Sequence, residues 1–166
     1  MPARASLLVM ADHNAEIERV YHDAYARFLR VAHGVLGDVD HARDAVHEAF
    51  VVALTSQASL RRAQSVEPWI WRILVNVCRT ELRRRKRFTG LNAPRESNGT
   101  APDETEIRAL VAGLPERQRV VLFLRYYADL DHRQIAEALG IARGTVAATL
   151  HQAQQSIKTL LQEVDR

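Results

Sequence analysis

The sequence predicts an all-α fold: two small helical bundles joined by a flexible linker, the second containing a helix-turn-helix. Three observations carry that prediction. Apolar side chains recur every three or four residues in several stretches, the spacing that lines one face of an α-helix. Only 7 Gly and 5 Pro are present to interrupt helices among 166 residues. The stretch FTGLNAPRESNGTAPD, at 88–103, gathers Gly, Pro, Asn and Ser and separates the periodic segments into two sets. The expected division is therefore a first domain at 15–87, a linker at 88–103 and a second domain at 104–164.

The first helix is expected to start at Asn14, a residue suited to an N-cap. Ile17, Val20, Tyr21, Ala24, Phe28, Val31, Ala32, Val35 and Leu36 then follow at helical spacing until Gly37 stops them. A second helix, from about Asp40 to Leu54, turns Ala42, Ala45, Val46, Ala49, Phe50 and Ala53 inward and Arg43, Asp44, His47 and Glu48 outward. Residues 55–66 lack a clear period and read as a loop. Pro68 opens a third helix, where its missing N–H costs nothing, and that helix continues to about Lys86.

In the second domain, a helix is expected at about 104–112. Another opens at Leu114-Pro115 and runs through Tyr127, burying Val120, Val121, Phe123 and Leu124. The stretch DLDHRQIAEALGIARGTVAATLHQAQQ, at 129–155, then has the spacing of a helix-turn-helix. Ala136 lets the second helix approach closely. Gly140 supplies the turn, and Val146 returns to the first helix, with Ile135, Leu139, Ile141 and Leu150 completing the seam. In the usual use of this unit the second helix, from about Arg143, enters the DNA major groove. A helical hairpin inside an ordinary bundle has the same spacing.

The formal net charge is only +3, but it is unevenly distributed. Residues 1–60 carry five Lys/Arg against eight Asp/Glu, a net of −3; residues 61–99 carry ten against three, a net of +7; residues 100–166 carry eight against nine, a net of −1. The third helix holds most of this surplus. Ile70, Ile73, Leu74, Val77 and Cys78 form its apolar stripe, and Arg72, Asn76, Arg79 and Arg83 line the opposite side. Arg84, Arg85, Lys86 and Arg87 extend the charge. A localised basic stripe suits a phosphate backbone, and a cationic helix C-terminus also suits the helix dipole without any ligand. Trp69 and Trp71, at the start of the same helix, suit either base stacking or the core.

Other functional classes find no support in the residues. One cysteine excludes an internal disulfide and a cysteine-built zinc site. The seven histidines are scattered without metal-binding spacing, and neither a Gly-rich phosphate loop nor a serine elbow occurs. No catalytic residue, metal or cofactor is expected. No apolar run approaches the roughly 18 residues that a bilayer requires, and the residues through Met10 are weakly patterned for export. The expected setting is the cytoplasm, with no membrane insertion.

These segments, in this order, resemble the bacterial extracytoplasmic-function sigma factors, the minimal initiation subunits of RNA polymerase within the sigma-70 family. LGDVDHARDAVHEAF (36–50) resembles the family's acidic helix that docks on the polymerase clamp. PWIWRILVNVCRTELRRRKR (68–87) resembles its helix for promoter melting and −10 reading. LPERQRVVLFLRYYADLDHRQIAEALGIARGTV (114–146) is similar to its −35-binding domain.

The resemblance implies contacts to the polymerase clamp from Asp44 and Glu48, supported by Asp40. It implies capture of the −10 strand by the loop at about 55–67 and by Trp69, Arg72 and Asn76, the family's WxxRxxxN pattern. Arg79, Arg83, Arg84 and Arg85 would then hold phosphates. At the −35 element it implies base reading by Thr145, Thr149, His151 and Gln152, with Arg133 and Arg143 near the backbone; Arg117, Arg119 and Arg125 are further candidates for phosphates. The implied partners are the polymerase core, at its clamp and flap, promoter DNA, and an anti-sigma factor.

The recognition helix departs from the family pattern. Where several Lys or Arg usually follow the GTV, this chain has Ala147, Ala148, Thr149, Gln152, Gln154 and Gln155. With a salt slope of roughly −0.9 per neutralised phosphate, so neutral a helix anchors poorly alone. Two alternatives stay open at this point: a sigma-like interaction module that titrates polymerase or an anti-sigma factor, and a free-standing helix-turn-helix regulator.

Overall fold

Helix α1, Pro2–Leu36, opens the chain in the computed structural model, which describes residues 2–60, 65–89 and 109–164. It begins twelve residues before Asn14, because Pro2 suits a first helical turn and Ala3, Ala5, Leu7, Leu8, Met10 and Ala11 all favour helix. Asn14 is consequently an interior residue and not a cap. Its Oδ1 accepts a 2.9 Å hydrogen bond from Gln57 Nε2. At the other end the chain leaves the helix at Gly37, whose φ of 71° is left-handed, and the Gly37 N–H closes on the His33 carbonyl at 2.7 Å.

Asp38 turns that exit into a new start. Its Oδ1 accepts from the His41 N–H at 2.9 Å, capping helix α2, Val39–Ser56. The stretch expected as a loop is partly helical: α2 runs on to Ser56, and a 3₁₀ turn, Gln57–Ser59, continues it. Thr55 sustains the extension locally, its hydroxyl donating to the Val51 carbonyl at 2.9 Å. Helix α3, Val66–Thr89, begins just before Pro68 and ends three residues beyond Lys86.

These three helices close one core. Ala42, Ala45, Ala49 and Ala53 recur along the inner face of α2, small enough to bring α1 near. Larger side chains fill the space left, with Phe28 and Trp71 stacked at a centroid distance of 3.9 Å and Phe50 edge-on to Phe28 at 5.3 Å. Cys78 is buried in the same core, where burial pushes its thiol up to about 12, as befits a small packing residue.

In the second domain, residues 109–112 are helical, and the part of that expected helix at 104–108 lies outside the described residues. So do positions 90–103 of the expected linker; Phe88 and Thr89 still belong to α3. Helix α4, Glu116–Tyr126, buries Val120, Val121, Leu122 and Leu124. Helix α5, His132–Leu139, is capped reciprocally: Asp131 Oδ1 accepts from the Gln134 N–H, and Gln134 Oε1 from the Asp131 N–H, both at 2.8 Å. Gly140 makes the turn at φ 64°, and helix α6, Arg143–Val164, returns across α5. Ile135, Ala136, Val146, Leu150 and Ala153 are buried between them. The hairpin has the expected helices and turn.

The two domains pack together, α1 against α4 and α3 against α5. This contact accounts for one departure from expectation. Phe123 is only half-buried, and its ring lies against α1 at Gly34, where a Cβ would collide with it. A glycine inside a helix costs about 0.5–1 kcal/mol relative to alanine, and here the missing side chain makes a notch for an aromatic ring.

Candidate nucleic-acid interface

Helix α3 organises the basic residues into two sets. Arg72, Asn76 and Arg83 are exposed on one side of the helix, and Arg84, Lys86 and Arg87 continue the exposed charge toward its end. Their projection follows from the helix period, since the buried stripe of Ile70, Leu74, Val75 and Cys78 faces the core. Like charges are thus held close together on a rigid element, where electrostatic repulsion is relieved by an incoming polyanion.

Three of these arginines have protein partners. Arg84 clasps Glu81 through Nε and Nη2 at 2.8 and 2.9 Å, which raises the guanidinium pKa and, through the same bonds, holds the Glu81 carboxyl below its usual range. Arg85 Nη1 donates to the Leu36 carbonyl at the end of α1, at 2.9 Å. Arg79 Nε lies 3.3 Å from Glu116 Oε1, in the second domain. Arg83, Lys86 and Arg87 therefore form the most open part of the basic surface.

Trp69 requires a correction to its expected place among the DNA-facing side chains. Only 8% exposed, it sits at the margin of the apolar stripe, and helix α3 buries this large ring against protein. Trp71 is buried completely, its indole N–H donating to Glu67 Oε1 at 3.3 Å. Of the loop that leads into α3, residues 61–64 lie outside the described residues; Ser59 and Ser65 on either side are exposed.

On α2 the acidic residues behave as their spacing predicts. Asp40, Asp44 and Glu48 all face outward, and Asp40 pairs with Arg43 Nη1 at 3.2 Å. Sequence reasoning missed what lies beside them. Val51, Val52 and Leu54 are exposed on the last turns of α2, and an open groove of about 320 Å³ runs between Tyr21, His22, His47 and Phe50. Exposed valines on a helix whose inner face is already complete were the available signal.

The recognition helix presents Arg143, Gly144, Ala147, Ala148, His151, Gln152 and Gln155 to solvent, with Thr145 half-buried. Thr149 is a second correction. It is 5% exposed and its Oγ1 donates to the Thr145 carbonyl at 2.7 Å, because positions 146, 149, 150 and 153 form the inward stripe of α6. Around the hairpin, Arg133 and Arg117 are exposed. Arg119 and Arg125 instead donate to the Ala112 and Leu130 carbonyls, at 3.0 and 3.2 Å, and brace turns of their own domain.

Comparison with known proteins matches this geometry to one family. A family model described as Sigma-70 region 2 matches residues 20–88, and one described as Sigma-70, region 4 matches residues 104–157. The ECF RNA polymerase sigma factor SigL of Mycobacterium tuberculosis is 31% identical over 163 residues, covering 90% of this chain and 92% of SigL. The RNA polymerase sigma factor SigV of Bacillus subtilis is 27% identical over 143 residues, covering 83% and 86%. Among solved structures, the sigma factor RpoE of Bartonella quintana, in complex with the anti-sigma factor NepR, shares the fold at a TM-score of 0.72 and 22% identity, over 90% of this chain and 99% of that one. CnrH, in complex with the cytosolic domain of CnrY, does so at 0.73 and 16%, over 95% and 94%. No helix among the described residues is long and apolar enough to cross a membrane. The chain belongs to the ECF sigma factors of the sigma-70 family, RNA polymerase subunits that direct promoter recognition, DNA melting and transcription initiation.

Proposed function

We propose a residue-level division of that activity. The domain at 15–87 docks on the polymerase clamp through Asp40, Asp44 and Glu48 and holds the −10 strand with Arg72, Asn76, Arg79, Arg83, Arg84 and Arg85. The linker at 88–103 connects it to the domain at 104–164, which meets the −35 element through Arg133, Arg143, Thr145, His151 and Gln152 and meets the polymerase flap beside it. The chain acts by binding and strand capture, without covalent chemistry of its own, in the cytoplasm where polymerase works. An anti-sigma factor is a fitting partner, since RpoE was solved bound to one.

The observation that carries this reading is the exposed basic side of α3, raised on a buried apolar stripe. Melted strands reclose unless phosphates and unstacked bases are held, and a rigid cationic helix supplies the phosphate half of that grip. Single-round transcription with core polymerase, on promoters recovered by polymerase pull-down, tests it. Specific starts that fail when Arg83 is changed to Ala are expected. An inert mixture with verified core binding would instead identify a module that titrates polymerase.

A further inference from the structure

Helix α6 changes character along its solvent-facing ridge. A turn of about 100° per residue sets Gly144, Ala148, His151 and Gln155 opposite the buried stripe of Val146, Leu150 and Ala153, with Ala147 on one flank and Gln152 on the other. The first two turns of this ridge therefore carry nothing longer than a methyl group. Beside Gly144 the space is open, and no neighbouring group lies within 4 Å of the place a Cβ would take. Polar side chains begin on the ridge only at His151.

In a major groove, guanine is read by a cation that reaches its O6 and N7, and positions 144, 147 and 148 carry none. The favourable partner there for an alanine methyl is the C5 methyl that thymine alone presents, and short side chains let the helix come close enough to touch it. Gln152, one turn on from Ala148, supplies the amide that pairs with adenine N6 and N7. A protein partner fits this face less well. Among the described residues of α6 from 143 to 159 no large apolar side chain is exposed, and protein interfaces draw most of their affinity from a few large buried anchors. We infer that the recognition helix selects −35 elements for their A·T pairs, by contact of Ala147 and Ala148 with thymine C5 methyls and by the Gln152 amide on adenine. This inference rests on the proposed meeting of α6 with the −35 duplex and adds to it the class of sequence that is read. Residues 147–152 span roughly 8 Å of helix, about two base steps, so a short tract suffices.

The experiment uses the full chain assembled with core polymerase, on promoters recovered by polymerase pull-down in which the −35 duplex is randomised. Sequencing of the retained DNA is expected to show A·T pairs enriched at neighbouring positions. Replacing an enriched thymine by deoxyuridine, which lacks only the methyl, should weaken retention about fourfold, the worth of one buried methyl group. At the same position 5-methylcytosine should be retained better than cytosine. In Ala147→Gly and Ala148→Gly chains the preference for thymine over deoxyuridine should vanish, a ratio that general weakening of the helix by glycine does not move. Ala148→Arg, at an exposed position, should shift the enriched base opposite it from thymine to guanine, and Gln152→Ala should relax the choice of adenine. Circular dichroism verifies that each variant is folded.

Enriched G·C pairs, or A·T pairs at which deoxyuridine equals thymine in the unaltered chain, would overturn methyl reading and leave α6 on the −35 duplex. A preference for thymine over deoxyuridine that survives in both folded glycine variants would place the methyl contact on other residues and overturn the assignment. Absence of base preference at every −35 position, with retention indifferent to Ala148→Arg, would overturn the meeting of α6 with the duplex and the inference with it. So would loss of core binding in Ala148→Arg without any base preference, which would mark this face as one that packs on protein.

Discussion

Helix α3 carries seven Lys and Arg in 24 residues, whereas the recognition helix α6 carries two in 22. Both are long and both bury one stripe, but their outer faces suit different tasks. The cationic helix can hold phosphates wherever it meets them. The neutral one offers Ala147, Ala148, His151 and Gln152, groups that discriminate between base edges only after something else has delivered them. The difference teaches that charge able to hold phosphates is concentrated in the first domain; under the proposed division, duplex binding by the second domain then depends on the first domain and on polymerase.

The sharpest way to break this comparison is to neutralise α3. Changing Arg79, Arg83 and Arg84 together to Ala should lower open-complex formation on the order of 100-fold, each contact contributing about 1 kcal/mol. Core binding should fall far less. Permanganate footprinting of the melted strand beside an anisotropy assay for core measures both, and equal losses would mean the three residues serve the fold. Next in size, Asp44→Lys with Glu48→Lys should weaken core binding about tenfold, through charge reversal at a complementary surface. Unaltered core affinity would move the docking surface elsewhere, with the neighbouring apolar groove the first alternative.

A gain of function sharpens the other side. Gln152→Arg should tighten duplex binding by the full chain and steepen its salt slope by about 0.9, the increment for one added phosphate contact. An unchanged slope would show that this face of α6 does not meet the backbone. The smallest effect concerns pH. The His41 N–H and the Arg84 guanidinium hold the Asp38 and Glu81 carboxyls below their usual ranges. Groups depressed in the folded state stabilise it above their unfolded pKa of about 4, and that contribution is lost as pH falls through their folded values. Thermal melts should therefore show the first domain losing stability below about pH 4, and Asp38→Asn should flatten that loss. Asp38→Ala should cost about 1 kcal/mol at neutral pH, the usual worth of a cap.

Much of this was legible in the sequence because it is local or periodic. The Ala136, Gly140 and Val146 spacing predicts the hairpin, and its turn is left-handed at Gly140 as expected. The apolar period identifies nearly every core position of α1 and α2. Composition failed where a residue sits at the border of two faces. The family resemblance implies DNA contacts for Trp69 and Thr149, although from the residues alone Trp69 suits the core as well; each falls at the edge of a buried stripe, where an aromatic ring or a hydroxyl bonded back to its own helix is content inside. Arg119 and Arg125 were equally unreadable, because a guanidinium that braces a carbonyl five or seven residues away looks in sequence like one reserved for phosphate.

Most helix positions and the cationic character of α3 follow from propensities and periods that act within a few residues, so the linear order of side chains already contains them; the caps were less legible, since Asn14 lies inside α1 while Asp38 and Asp131 take that role. The docking of α4 on α1 and of α5 on α3 depends on pairs far apart in the chain, Gly34 with Phe123 and Arg79 with Glu116. Whether a notch receives a ring, or a cation an anion, is a matter of shape and distance across two folded surfaces. No local pattern encodes that, and it is there that the packing of the two domains is decided.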